Sequence, residues 1–182
     1  MGSEMCIRDS FYSDFEDMIV AANQGGIATF QTNAAKATIQ GFEVEVTWVP
    51  IDSILVNAAV GYLDAEYDEV SAEAQAAGIT TEDKFVFTPE WVSSLGISHI
   101  TEFDNGSTLT TRIDGVYKDE QEFEAANTIY TRDEGYVAWN AAVKYTDASE
   151  EWSLTLGIEN LTDKLYKAVS YTHLTLPTRL SV

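Results

Sequence analysis

Residues 135–146 alternate without a break: Val137, Trp139, Ala141, Val143 and Tyr145 take one set of positions, and Tyr136, Ala138, Asn140, Ala142, Lys144 and Thr146 take the other. A period of two sorts side chains to opposite faces of a strand, and no helix puts those five apolar residues on one side. Residues 152–158 repeat the pattern, with Trp152, Leu154, Leu156 and Ile158 against Ser153, Thr155, Gly157 and Glu159. Residues 147–151 turn one segment into the other, and pairing Tyr145 with Trp152 keeps the two apolar rows together. The chain is thereby held to antiparallel sheet whose two faces differ sharply in polarity.

The upstream segments obey the same rule. Phe42, Val44, Val46 and Trp48 alternate with Glu43, Glu45 and Thr47, and a dry core would not accept those glutamates, so one side of this strand is wet. Residues 53–67 are partly apolar on both faces. A three-residue turn at 50–52 pairs Trp48 with Ile54 and extends the row through Ile54, Val56, Ala58, Val60 and Tyr62. Pro89 opens the next strand, where a missing N–H is tolerated, and Trp91, Leu95 and Ile97 share a face. Parity then sets the turn at Asp104-Asn105-Gly106. A two-residue Asn-Gly hairpin would put Leu109 and Ile113 on the side away from Leu95 and Ile97. A three-residue loop with a left-handed Gly106 aligns Thr101 with Leu109 and Ile97 with Ile113. Residues 107–118 then carry Leu109, Ile113 and Tyr117 on one face and Thr108, Thr110, Arg112, Asp114 and Lys118 on the other.

With an aromatic segment at 11–20, seven strands emerge. They are joined alternately by long connections (21–36, 67–88, 119–134) and short ones (50–52, 104–106, 147–151). The first long connection reads as a loop with a short extended piece at 27–31. Such regularity has no cause in a soluble sandwich, but in an outer-membrane barrel short turns face the periplasm and long loops face outside. Trp48, Phe103, Tyr145 and Trp152 lie beside the short turns, and Tyr62, Trp91, Tyr117 and Tyr136 near the long loops. That is the layout of two interfacial girdles, with Tyr136 alone on the opposite parity. The expected fold is all-β, an antiparallel up-and-down transmembrane β-barrel fragment of about seven strands. The barrel is incomplete because an odd antiparallel set leaves two edges that lipid cannot satisfy. Lipid-facing candidates are Trp48, Leu109, Ile113, Trp139, Val143, Trp152, Leu154, Leu156 and Ile158. Lumen-facing candidates are Glu43, Glu45, Arg112, Asp114, Asn140 and Lys144. The rival is a soluble acidic β-sandwich binding module with its apolar faces packed together. Apolar faces about 9 to 11 positions long and irregular turn spacing weigh against it.

Composition narrows the partners. Ten Lys and Arg against thirty Asp and Glu give a formal charge of −20, which repels phosphate backbones and anionic headgroups, so nucleic acid is not an expected partner. No apolar run reaches the roughly 18 residues of a transmembrane helix, a length that strands do not need. The single cysteine, Cys6, cannot form an internal disulfide. Residues 1–10 have neither the apolar core nor the cleavage site of a signal peptide. Residues 169–182 contain no acidic residue. Both ends resemble adapter sequence read through as protein, so a non-native leader (1–10) and tail (169–182) are expected to flank the barrel segment, 11–168.

No nucleophile elbow, phosphate loop or metal-spaced Cys/His cluster occurs, so no catalytic, cofactor or metal-ligand residues are expected and the chain does not read as an enzyme. His99 is alone on its strand and His173 lies in the tail. Asp64, Glu66, Asp68 and Glu69 could hold Ca²⁺ through carboxylate oxygens, but a solvated acidic rim is the better reading.

Residues 11–20 (FYSDFEDMIV), the segment 33–45 with its Asn-x-x-x-Ala-x-x-x-Gly-x-Glu form, the strand start Thr88-Pro89-Glu90-Trp91, and Asn160-Leu161-Thr162-Asp163-Lys164-Leu165-Tyr166 occur here in that order. Together they resemble the C-terminal part of the TonB-dependent outer-membrane receptors, with Thr162 where Phe is usual. The resemblance covers roughly 11–168 and implies a plugged barrel of 22 strands in the bacterial outer membrane. It implies import of a scarce nutrient, most often a ferric siderophore. The partners implied are outer-membrane lipid, that small-molecule substrate, and the TonB complex through a plug region outside this stretch. A passive porin or adhesin barrel fragment is the alternative within the membrane class.

Overall fold

A computed structural model describes residues 3–24, 28–127 and 131–166. Strands β1 (Ser3–Gln24), β2 (Ala28–Ile51), β3 (Ile54–Val70), β4 (Trp91–Glu102), β5 (Thr108–Lys118), β8 (Tyr136–Thr146) and β9 (Ser153–Ile158) form one unclosed seven-stranded sheet in that order. Each pairs antiparallel with its sequence neighbour in the sheet. Between β3 and β4 sits a short helix, α1 (Ala72–Ala76), capped by the Ser71 hydroxyl. Between β5 and β8 a small hairpin forms from β6 (Gln121–Glu122) and β7 (Arg132–Asp133).

The registers carry the apolar and polar rows across the sheet unbroken. Trp48, Val56, Ile97, Ile113, Ala141 and Ile158 stand opposite one another from strand to strand. One position over, Asn57, Gly96, Asp114 and Asn140 do the same on the other face. Directly paired residues share a face, so a one-residue slip at any hairpin would exchange the two rows.

The hairpin at Asp104-Asn105-Gly106 has the expected form. Gly106 adopts φ +84°, the Phe103 N–H reaches the Ser107 carbonyl at 2.9 Å, and Ile97 stands opposite Ile113. The other two short turns keep the expected parity but pair two residues further on. β2 runs to Ile51, the turn is Asp52-Ser53, and an irregularity between Trp48 and Ile51 restores the parity a two-residue turn would invert, so Trp48 faces Val56 rather than Ile54. Tyr145 faces Leu154 rather than Trp152, because the last turn is wider than that pairing needs: it closes with the Asp147 N–H on the Trp152 carbonyl at 3.2 Å and leaves residues 148–151 to reverse the chain.

The long connections depart further from expectation. Residues 21–24 and 28–36 are strand and not loop: β1 and β2 stay paired from Ile19↔Asn33 to Gln24↔Ala28, and that ladder occupies the backbone groups a loop would leave to water. Residues 3–10, set apart from the barrel on sequence, continue β1 opposite residues 42–49. The tail 169–182 lies outside the described residues.

At the level where Phe42, Tyr62 and Trp91 meet, with ring centroids 4.7 to 5.9 Å apart, the polarity of the two faces reverses. Below it, the face holding these rings is apolar and largely exposed, up to 69% at Leu156. Above it the same face is polar. Gln40 donates to Asp64 at 2.9 Å, the Thr38 hydroxyl meets Asp68 at 2.9 Å, and Lys36 pairs with Glu69 at 3.0 Å. The opposite face reverses the other way, from Glu43 and Glu45 to Ala35, Ala37 and Tyr67, which are buried with Val20, Ala74, Ile79 and Ala125. A bulge between Phe15 and Met18, with Asp17 at φ +57°, changes the parity of β1 there, and Met18 and Val20 join this cluster.

Candidate functional site on the polar face

Glu43, Glu45, Arg112, Asp114, Asn140 and Lys144 all fall on one face, but the fold draws only some of them together. Arg112 and Asp114 are two apart on β5, so they share a face, and Arg112 Nε donates to Asp114 Oδ1 at 3.0 Å. Asn140, opposite Asp114 on β8, donates its amide to the second carboxylate oxygen at 2.9 Å. The far Arg112 nitrogen reaches Ser98 Oγ at 3.4 Å. Glu43 and Glu45 stand opposite Gly61 and Ala59, and Lys144 opposite Thr110 and Thr155, all away from this network.

The network leaves the sheet through a residue that the sequence reading did not assign. Asn160, just past β9, donates its backbone N–H to Asn140 Oδ1 at 2.9 Å. Its side chain brackets the turn that follows: Oδ1 accepts from the Lys164 N–H and Nδ2 donates to the Lys164 carbonyl, both at 3.0 Å. Asn160 sits at φ +52° and Asp163 at +48°, a conformation asparagine and aspartate tolerate better than most residues. Just beyond this turn, Tyr166 stacks on Tyr136 with centroids 4.5 Å apart and planes 9° from parallel. Tyr136 is the aromatic of opposite parity, and this partner gives its ring a role on the polar side. The signal for Asn160 was its place at the head of Asn-Leu-Thr-Asp-Lys; its bond to Asn140 spans 20 residues and has no local trace.

Above the sheet, residues 71–90, 119–127 and 131–135 form a cap on the same side as the polar face. The Lys84 N–H donates to Asn127 Oδ1 at 2.6 Å, the Asn127 amide returns a bond to the Lys84 carbonyl at 2.9 Å, and the Lys84 ammonium bridges Glu90 and Glu120 at 2.9 and 3.0 Å. Phe85 stacks on Tyr67 at 4.1 Å, and burial pushes the Tyr67 phenol above its ordinary pKa. Beside this stack a cleft of about 290 Å³ runs between β3 and the 81–90 segment, lined by Asp64, Glu66, Glu82, Asp83 and Glu90 among others. Glu122 is buried with one carboxylate oxygen on Arg132 Nε at 2.6 Å.

Residues 9–161 match the family model of the TonB dependent receptor-like β-barrel. The chain belongs to that family. Solved uptake and siderophore receptors share its fold. The ferric yersiniabactin uptake receptor FyuA from Yersinia pestis superposes with a TM-score of 0.74 at 17% identity, over 94% of this chain and 24% of that one. The siderophore receptor PiuA from Acinetobacter baumannii gives 0.66 at 21% identity, over 90% and 22%. BauA, the ferric preacinetobactin receptor from Acinetobacter baumannii, gives 0.60 at 18%, over 91% and 23%. This TonB-dependent receptor segment thus spans about a quarter of each of those receptors. No curated protein sequence matches it.

Proposed function

We propose that this segment is part of an outer-membrane receptor that imports a scarce nutrient, a ferric siderophore first among them, by transport coupled to TonB. The observation that carries the reading is the reversal of face polarity at Phe42, Tyr62 and Trp91 in a chain of this family. A strand keeps its period of two throughout, so the reversal marks a change in the surrounding medium, from hydrocarbon to water on one side. On this reading Trp48, Leu109, Ile113, Trp139, Val143, Trp152, Leu154, Leu156 and Ile158 contact lipid. Glu43, Glu45, Arg112, Asp114, Asn140 and Lys144 face the barrel interior. The cap and its acidic cleft face the outside, where substrate is met. TonB would act through a plug region that this segment does not include.

Parity supports treating residues 1–10 as foreign to the barrel. In their register Glu4, Arg8 and Ser10 stand opposite Trp48, Val44 and Phe42, so the apolar face would carry charges that cost about 2–4 kcal/mol each near the midplane for Arg and less for acids.

The test is uptake of radiolabelled ferric siderophores by cells that lack their own siderophore receptors and express the full-length receptor. Uptake that requires both TonB and the proton-motive force is the expected result. Uptake that persists without TonB would instead make the protein a passive barrel.

A further inference from the structure

The Asn140 amide has two ends, and the network uses both: nitrogen to Asp114, oxygen from the Asn160 N–H. An isolated amide is free to turn over, and turned over it would present its NH₂ to the Asn160 N–H, donor against donor. The Asp114 carboxylate forbids that, because it accepts only. Arg112 holds Asp114 from the other side. Asn160 in turn closes the 160–164 turn on its own, through the two Lys164 bonds and through its carbonyl, which accepts from the Asp163 N–H at 2.9 Å.

We infer that Asp114 is a positioning residue for the turn through which the chain leaves β9, acting through the orientation it imposes on Asn140. The inference rests on the reading of the polar face as a barrel interior for its functional meaning. A cationic group offered to Asp114 from within the barrel competes with Asn140, frees the amide to turn, and loosens the turn on the outer side. The chain of bonds is a route from the interior to the loop, made of directional contacts with two discrete settings, not of general packing.

Hydrogen exchange of the peptide covering residues 158–166, measured on the full-length receptor in detergent, tests this. Asp114→Ala and Asn140→Ala each speed exchange about tenfold, the scale expected for losing one hydrogen bond that ties the turn to the sheet. The double variant is no faster than either single one. The exchanged pair, Asp114→Asn with Asn140→Asp, restores slow exchange, because the amide then carried at position 114 donates and the carboxylate then carried at position 140 can only accept. That pair conserves volume and keeps the test valid if an alanine variant fails to fold. Ala138→Arg, which sets a cation diagonal to Asp114 on the same face, speeds exchange, while Lys144→Ala leaves it unchanged. Unchanged exchange in both alanine variants, additive effects, or no rescue by the exchanged pair would overturn the inference. The interior reading fails separately: Lys144→Cys, placed in a receptor otherwise free of cysteine, would then resist a water-soluble thiol reagent.

Discussion

The indole of Trp139 covers Gly115, its directly opposed partner on β5: three ring carbons lie 2.7, 2.7 and 2.9 Å from where a β-carbon on that glycine would stand. The glycine is the space the ring occupies, and the ring shields the backbone that a glycine leaves bare. Gly115→Val therefore displaces Trp139. The expected loss is about 1–3 kcal/mol, typical of overpacking, read as a lower urea midpoint of the folded receptor in lipid vesicles together with a shift in tryptophan emission.

Val143 and Leu156 stand opposite each other on the apolar face, one position from Lys144 and Thr155 on the polar one. Leu156→Arg or Val143→Arg is expected to cost about 2–4 kcal/mol in lipid, and Thr155→Arg little. Equal losses at both parities, measured by unfolding in vesicles, would refute the assignment of faces.

Ile79 is 1% exposed and anchors the cap against Ala37 and Tyr67. Ile79→Ala removes about 2–5 kcal/mol of packing, and the loss falls on the cap because α1 and its flanks meet the sheet mainly there. Proteolysis within 71–90 is expected to rise while the β4 and β5 amides keep their protection.

The Asp147 carboxylate accepts from the Ser149 hydroxyl at 2.6 Å and from its N–H at 3.1 Å. The hydroxyl bond first, then the backbone bond, hold its pKa below the ordinary carboxylate value. A lowered folded pKa means that the contribution to stability is present above the unfolded value and is lost as pH falls through the folded one. Ser149→Ala is expected to move the Asp147 titration, followed by carboxyl NMR, upward toward that of an exposed aspartate.

Much of the sheet was legible without coordinates because hairpin parity is a discrete choice. At Asp104-Asn105-Gly106 an even loop would have exchanged the faces of Leu109 and Ile113, so the apolar pattern admitted one answer. At 50–52 and 147–151 the same pattern admitted registers two residues apart, since a shift of two leaves every side chain on its own face. Turn geometry chose between them: a bulge before Asp52-Ser53 in one case and closure at Asp147 and Trp152 in the other. Segment 21–36 looked like a loop because its glycines and asparagines oppose regular structure locally, whereas its pairing partner lies across a hairpin.

The alternation of residues 135–146 and 152–158 by itself determined an antiparallel sheet with one apolar and one polar face, and the same period upstream set which side each assigned residue takes. Only the tertiary structure decided that the faces exchange polarity at Phe42, Tyr62 and Trp91, and that Asp114, Asn140 and Asn160 join in one chain of bonds. The physical reason is one of range. A period of two is written in neighbouring residues, but the level at which the faces of β2 and β3 exchange polarity depends on what covers them. Likewise, the partner of the Asn160 N–H is set by strand register 20 residues away.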